Sequence, residues 1–299
     1  MANECIYSNP DIAGIGVRVN FYVTIICIAL IPENEYTDEL LDGIYKSSVI
    51  YGLSLIITAI VQTVQEQLDL YHAIVVLQIT ICLSVVYAYG QKRYFRSNKA
   101  DFRMKLFVLL QTFTSMVCSG WYLYVWIKDS NFGSQPSCNH LVKYVLFFVD
   151  VRVTTTWLRV MFIVSSISSV FFFACVWQIL YRMQQFETPP NSATPTERPP
   201  SIESPIPQLQ TQSIQKSKFW RTVLRYVLEV GAAAYGVATL ETIVSRNRSI
   251  IQPGENAWGF GQLIAIILTL GIFIDIIVAV REWWTKKRTP PDEHSDSRV

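Results

Sequence analysis

Apolar residues in this chain gather in long runs. Seven of them, at about residues 12–31, 48–64, 72–90, 106–127, 157–181, 222–244 and 257–280, approach or exceed the roughly 20 residues a helix needs to cross a bilayer core. Asn9, Pro10 and Asp11 form a good helix start ahead of the first run, with a capping side chain, a proline in the first turn and a carboxylate at the positive dipole end. One segment follows another rule. Residues 139–156 place Val145, Phe147, Val149, Val151 and Val153 at period two, which predicts an extended hairpin; a buried helix start is the alternative there. Residues 33–47 are acidic and predict a short interfacial helix through Leu40, Leu41, Ile44 and Tyr45. Residues 187–217 are rich in Pro, Ser, Thr and Gln, with nothing to bury, and predict a disordered linker. The expected fold class is therefore an all-α membrane protein with seven transmembrane helices and a small outer β-hairpin. Helices one to five fall in residues 1–186, the linker in 187–217, helices six and seven in 218–284 and a disordered tail in 285–299.

Composition agrees. Hydrophobic residues make up 51% of the chain and charged residues 16%, against about 25% charged in soluble proteins, and no basic region precedes the first apolar run as in a signal peptide. A net charge of only +2 gives no pull toward nucleic acid, and none is expected as a partner. Lys and Arg set the orientation. With the N-terminus outside, the inner segments carry 17 of them and the outer segments 5, so N-outside, C-inside is the expected topology. Cys5 and Cys138 then share the outer side, where an oxidising compartment permits a disulfide. The Asn247-Arg-Ser249 sequon also falls in an outer loop and marks a glycosylation candidate.

Polar residues within the spans gather at that same side. Arg18 lies inside the first run and Glu241 inside the sixth, and an intramembrane charge needs a partner, a proton or water. Asp11, Ile15, Arg18, Tyr22 and Ile25 follow one helical stripe. Gln62, Gln65, Glu66, Asp69 and His72 surround the second outer loop, Asp150 and Arg152 sit in the hairpin, and Trp258 and Gln262 open the seventh span about 40° apart. A structural Arg18 ion pair with Asp11 or Glu241, a solvated His72, Glu66 and Asp69, and an aromatic belt with helix-packing glycines at Trp-Gly-Phe-Gly are the plain alternatives. Several chemistries are excluded. The seventh span has no lysine for a retinal Schiff base, and the chain has three histidines, too few for a histidine-box di-iron site. No His-Glu-x-x-His, P-loop, Gly-x-Ser-x-Gly or Asp-Asp-x-x-Asp run occurs. Neither a metal nor another cofactor is expected.

Asn9-Pro-Asp-Ile-Ala-Gly-Ile-Gly-Val-Arg18, with Leu70-Tyr-His-Ala-Ile-Val-Val-Leu77 and Trp258-Gly-Phe-Gly-Gln262, resembles a group of fungal seven-span integral membrane proteins. That group is in turn similar to the membrane-bound terpene cyclases of meroterpenoid pathways, of the ascochlorin and ascofuranone type. The resemblance covers the spans and not the linker. It implies an endoplasmic-reticulum or other endomembrane enzyme of secondary metabolism, with the plasma membrane as the alternative. Such an enzyme protonates an epoxide or alkene on a lipophilic prenylated substrate and guides a carbocation to ring closure. That chemistry needs a carboxylic acid kept neutral by an apolar site, aromatic faces for the cation and exclusion of water. Glu241 is the expected acid, with Asp11, Glu66 or Asp150 assisting. Arg18, Tyr22, His72, Trp258, Phe260 and Gln262 are the expected substrate contacts. A seven-span receptor or other ligand-binding membrane protein is the competing expectation.

Overall fold

A computed structural model describes residues 5–32, 34, 37–96, 102–186 and 208–288. They form helices α1 (Pro10–Ala13), α2 (Ile15–Leu30), α3 (Asp38–Val64), α4 (Leu70–Arg96), α5 (Phe102–Lys128), α6 (Thr156–Phe186), α7 (Gln208–Asn247) and α8 (Phe260–Arg288), with a hairpin of β1 (Lys143–Leu146) and β2 (Val149–Arg152) between α5 and α6. Five stretches among the described residues are long and apolar enough to cross a membrane: Pro10–Leu30, Asp38–Val64, Thr156–Cys175, Tyr226–Ile250 and Phe260–Glu282. Leu70–Ser84 is a shorter apolar helix.

The first turns of α4 form the centre. From Leu70 to Ile79 every side chain is buried, the mark of a helix surrounded on all sides rather than amphipathic. α4 packs on α1, α2, α3, α5 and α7. α2 lies against α4 and carries α7 on one flank and α8 on the other. Large apolar side chains on the outward faces of α6, α7 and α8, such as Phe171, Val227 and Ile274, remain exposed, as a lipid-facing surface requires.

Several sequence expectations are corrected. The first run is not one helix. It breaks at Gly14, whose extended backbone (φ −62°, ψ 160°) separates α1 from α2. Asp11 therefore does not continue the stripe of Arg18 and Tyr22. The acidic segment 33–47 does not make a separate interfacial helix, because α3 runs unbroken from Asp38 to Val64. Asp38 and Glu39 suit the positive end of the α3 dipole, and the Lys46–Asp42 pair supports its second turn. Residues 208–217, expected in the linker, are the first turns of α7, and α8 extends into the expected tail as far as Arg288. The remaining linker, 187–207, and tail, 289–299, lie outside the described residues.

The hairpin forms as alternation predicts, with Tyr144 opposite Val151 and Val145 opposite Asp150; α6 starts only at Thr156. Phe147 and Phe148 make its turn in the left-handed region, at φ 47° and 67°, so Phe147 is a turn residue and not a strand residue. Both rings rest on Tyr235 of α7. Tyr144 donates to Gln78 at 3.1 Å, and burial pushes its phenol pKa up, which keeps it a neutral donor. The chain start is stitched to the α7–α8 connection by a parallel bridge between Ile6 and Ile251. A Cys5–Cys138 disulfide ties it to the α5–β1 connection. These pieces cap one end of the helices.

Asn247, the sequon asparagine, is 1% exposed. Its amide accepts from Lys143 N at 2.8 Å and donates to the Lys143 and Ile243 carbonyls, each at 2.8 Å. An amide committed to three bonds in the fold cannot carry a glycan there, so the glycoprotein expectation fails on geometry. Endoglycosidase treatment should leave the electrophoretic mobility of the folded protein unchanged. Asn247→Ala should destabilise the protein by about 1–3 kcal/mol, seen as a lower unfolding midpoint in detergent, because β1 loses its fastening to α7.

Candidate functional site

The site begins with two glycine pairs. Gly14 and Gly16 flank the α1–α2 break, and Gly259 and Gly261 flank the start of α8. A Cβ on Gly16 would stand 2.9 Å from both Cβ and O of Gln262, and one on Gly259 would stand 2.6 Å from Asp11 Oδ1. Only bare backbone lets the two segments meet this closely. Gln262, with no exposed surface, accepts from Gly16 N at 3.1 Å and donates to Ala257 O at 2.6 Å. Asp11 accepts from Gly261 N at 2.9 Å. It thus caps α8 and not its own helix.

This clasp brings the residues just before α8 over α2 and α4. His72 is fully buried. Its Nδ1 faces Asp69 Oδ2 at 2.6 Å and its Nε2 faces Glu255 Oε1 at 2.8 Å. With a carboxylate at each ring nitrogen, the imidazolium is the form that donates in both directions. Asp69 also accepts from His72 N at 3.0 Å, capping α4. The second Glu255 oxygen accepts from Asn9 N at 3.0 Å, and Asn9 Nδ2 donates to Gln62 Oε1 at 2.7 Å.

Beside it lies a second cluster. Arg18, 7% exposed, donates from Nε to Ala13 O at 3.1 Å, from Nη1 to Glu241 at 2.5 Å and from Nη2 to Asn256 Oδ1 at 3.3 Å. The Ala13 carbonyl is free for this because the helix breaks one residue later. The Tyr22 hydroxyl donates to the same Glu241 oxygen. The Tyr71 hydroxyl, with Arg18, Glu241, Glu255 and Asp69 in electrostatic reach, is buried without a hydrogen-bond partner among the described residues.

Glu241 is not sealed: its side chain is 45% exposed. Gly16 and Asn20 face α8, through Gln262 and Thr269. Arg18 and Ile25 face α7, through Glu241 and Gly236. Between these two sides α2 leaves Ile15, Val19 and Ile26 exposed, at 46%, 39% and 42%, with Tyr22 partly covered. α7 and α8 both pack on α2 and hardly touch each other among the described residues. The result is a groove along α2, open to the side, with Tyr22, Glu241 and Arg18 at its polar end.

Of the expected site residues, the structure brings together Arg18, Tyr22 and Glu241 in the groove, and Asp11, Gln262 and His72 in the adjoining clasp and triad. Four stand apart. Glu66 is an exposed turn residue after α3, at φ 57°. Asp150 pairs with Arg246 at 3.5 Å and fastens the hairpin. Trp258 and Phe260 are 71% and 75% exposed and line no inner wall; Trp258 also precedes α8, so it shares no helical face with Gln262. Sequence reasoning missed Glu255, Asn256 and Tyr71. Their signal was adjacency: Glu255 and Asn256 lie just before Trp-Gly-Phe-Gly, separated from it by Ala257, and Tyr71 precedes His72. No metal-holding group of three or more His, Cys, Asp or Glu occurs among the described residues. No family model, curated protein or solved structure matches the chain.

Gly16→Ala should destabilise the protein by about 2–3 kcal/mol, since the opposing atoms include the Gln262 backbone. Gly231→Ala, with nothing within 4 Å of its added Cβ, should be neutral or stabilising by about 0.5–1 kcal/mol. Paired unfolding midpoints in one detergent separate the two.

Proposed function

We propose that the chain is a seven-span membrane protein, N-outside and C-inside, that admits a lipophilic prenylated molecule from the bilayer into the α2 groove and cyclises it without metal. The observation that carries this is the groove itself: exposed Ile15, Val19 and Ile26 along α2 between α7 and α8, ending in a carboxyl group, a phenol and a guanidinium. α4 and α5 supply the two further spans, each 27 residues long. The Lys and Arg asymmetry and the Cys5–Cys138 disulfide at the capped end support the orientation.

In this reading the Glu241 carboxyl gives its proton to the oxirane oxygen of an epoxy-prenyl phenol. The C–O bond opens, an alkene π pair captures the resulting cation, and loss of a proton from the cyclised product restores the acid. Tyr22 offers an aromatic face to the cation, worth about 0.5–2 kcal/mol. The resting geometry sets a condition. Glu241 accepts from both Arg18 and Tyr22, as a carboxylate does. The acid step therefore requires Glu241 to take up a proton from water at its exposed edge and the substrate oxygen to take the place of Arg18. Arg18 then keeps Ala13 O and Asn256 as partners.

A second reading draws on the same network. Asp11, Arg18, Asp69, His72 and Glu255 are all satisfied within the protein, which suits a groove that binds a ligand and does no chemistry. Microsomes containing the protein and fed an epoxy-prenyl phenol separate the two. Cyclised product, reduced at least about 100-fold in Glu241→Gln and lowered in Tyr22→Phe, is the enzyme result. Turnover undiminished in Glu241→Gln removes the acid assignment; saturable binding without product favours the ligand-binding protein.

A further inference from the structure

Away from the groove, α3, α4, α5 and α6 border an open-sided cavity of about 140 Å³. Its lining includes Thr80 of α4, Ser115 and Ser119 of α5 and Ser166 of α6. Serine and threonine in apolar helices ordinarily donate to the carbonyl four residues back. Thr80 does so to Val76 at 2.7 Å, and Thr114 to Leu110 at 2.8 Å. Ser115, Ser119 and Ser166 do not. They are 8%, 7% and 8% exposed, line the cavity, and find no hydrogen-bond partner among the described residues. Three hydroxyls of buried residues that line one void form a polar floor, and polar voids, unlike apolar ones, take up a hydrogen-bonding guest.

Depth and charge narrow the guest. Thr80 and Ser166 each lie ten residues, and Ser119 nine, from the capped ends of their helices. At 1.5 Å per residue that is about 15 Å, the midplane of a hydrocarbon core about 30 Å thick. No Asp, Glu, Lys, Arg or His lines the cavity among the described residues, so an ionic headgroup has no counter-charge there. The cavity also opens sideways. α4 and α6 hardly touch among the described residues, and Ile81, Ser84 and Ser165 at that gap are exposed. A cavity of about 150 Å³ takes a guest the size of benzene, so this one holds one polar group and a few carbons, with the rest of the molecule left in the lipid.

We infer that this cavity binds an uncharged lipophilic alcohol or phenol, entering between α4 and α6 and hydrogen-bonded by Ser115, Ser119 and Ser166. The inference stands whether or not the α2 groove is catalytic. The experiment uses full-length protein in nanodiscs and a diazirine analogue of farnesol as photoprobe, with labelled peptides mapped by mass spectrometry. Expected is saturable labelling of α4 to α6, competed by farnesol and not by the hydrocarbon farnesane. The triple Ser→Ala variant should weaken it by about tenfold or more, as loss of several neutral hydrogen bonds requires. Ser166→Leu, which fills the void, should abolish it. An unfolding midpoint matching wild type certifies each variant, and Tyr22→Phe should label normally, which separates this site from the groove. Labelling insensitive to Ser166→Leu, equal competition by farnesane, or no saturable labelling at all (a cavity holding only water) overturns the inference.

Discussion

The fold depends on one close approach, the seating of the chain's first helical turns against the start of α8. Two glycines on each side strip the contact to backbone, and each side then inserts one polar side chain into the other. Gln262 enters over Gly14 and Gly16 while Asp11 reaches Gly261. In a hydrocarbon setting every backbone donor freed by a helix break needs a partner within the protein. The clasp supplies it. Gly16 N, released by the break at Gly14, is taken by Gln262, and Gly261 N, one of the orphan donors at a helix start, by Asp11. Cause and remedy are thus one contact.

The charged groups hang from that contact. Glu255 and Asn256 lie within a few residues of Gly259, so fixing α8 against α1 fixes them above His72 and Arg18. A buried charge is tolerated when it is paired and its remaining hydrogen-bonding positions are filled, and removing one partner of such a pair typically costs about 3–5 kcal/mol. His72 meets that standard more fully than Arg18. Both of its ring nitrogens face carboxylates and its surroundings are closed. Arg18 is slightly less buried, and its partner Glu241 opens onto the groove. The triad therefore reads as fastening. The Arg18–Glu241–Tyr22 cluster reads as the place where something else can bind.

Much of this was legible in the sequence. The three stretches that stand out there, around Gly14, His72 and Gly259, are the three that meet in space. That Arg18 must find a carboxylate was readable because a charge within an apolar run needs a partner, though the choice between Asp11 and Glu241 was not. The hairpin was readable because its valines alternate. What stayed hidden needed three dimensions. The break at Gly14 depends on Gln262, 248 positions away in the chain, and nothing local separates Gly14 from a packing glycine inside a continuous helix. Trp258 and Phe260 carry the same apolar signal whether they face protein or lipid, and here they face outward. Glu66 and Asp150 share the depth of the site but not its position, because one sits in an exposed turn and the other is drawn away by Arg246. Glu255 reads as a loop carboxylate until His72 is found beneath it.

The two lateral openings divide the chemistry in the way the bilayer demands. α4 stands between them, packed on α2 and α7 on one side and on α3 and α5 on the other. On the first side the ionic groups lie at the capped end, where connecting backbone and the α1–α2 break add hydrogen bonds that a helix interior cannot give. On the second side the polar groups lie near mid-depth, where an arginine or aspartate costs about 2.5–3.5 kcal/mol on insertion scales, and they are hydroxyls without exception among the described polar residues apart from the Cys118 thiol. A hydroxyl carries no charge, so it can line a void at a depth where an ion would need a permanent partner. Charge at the rim and hydroxyls at the centre are thus two answers to one solvent.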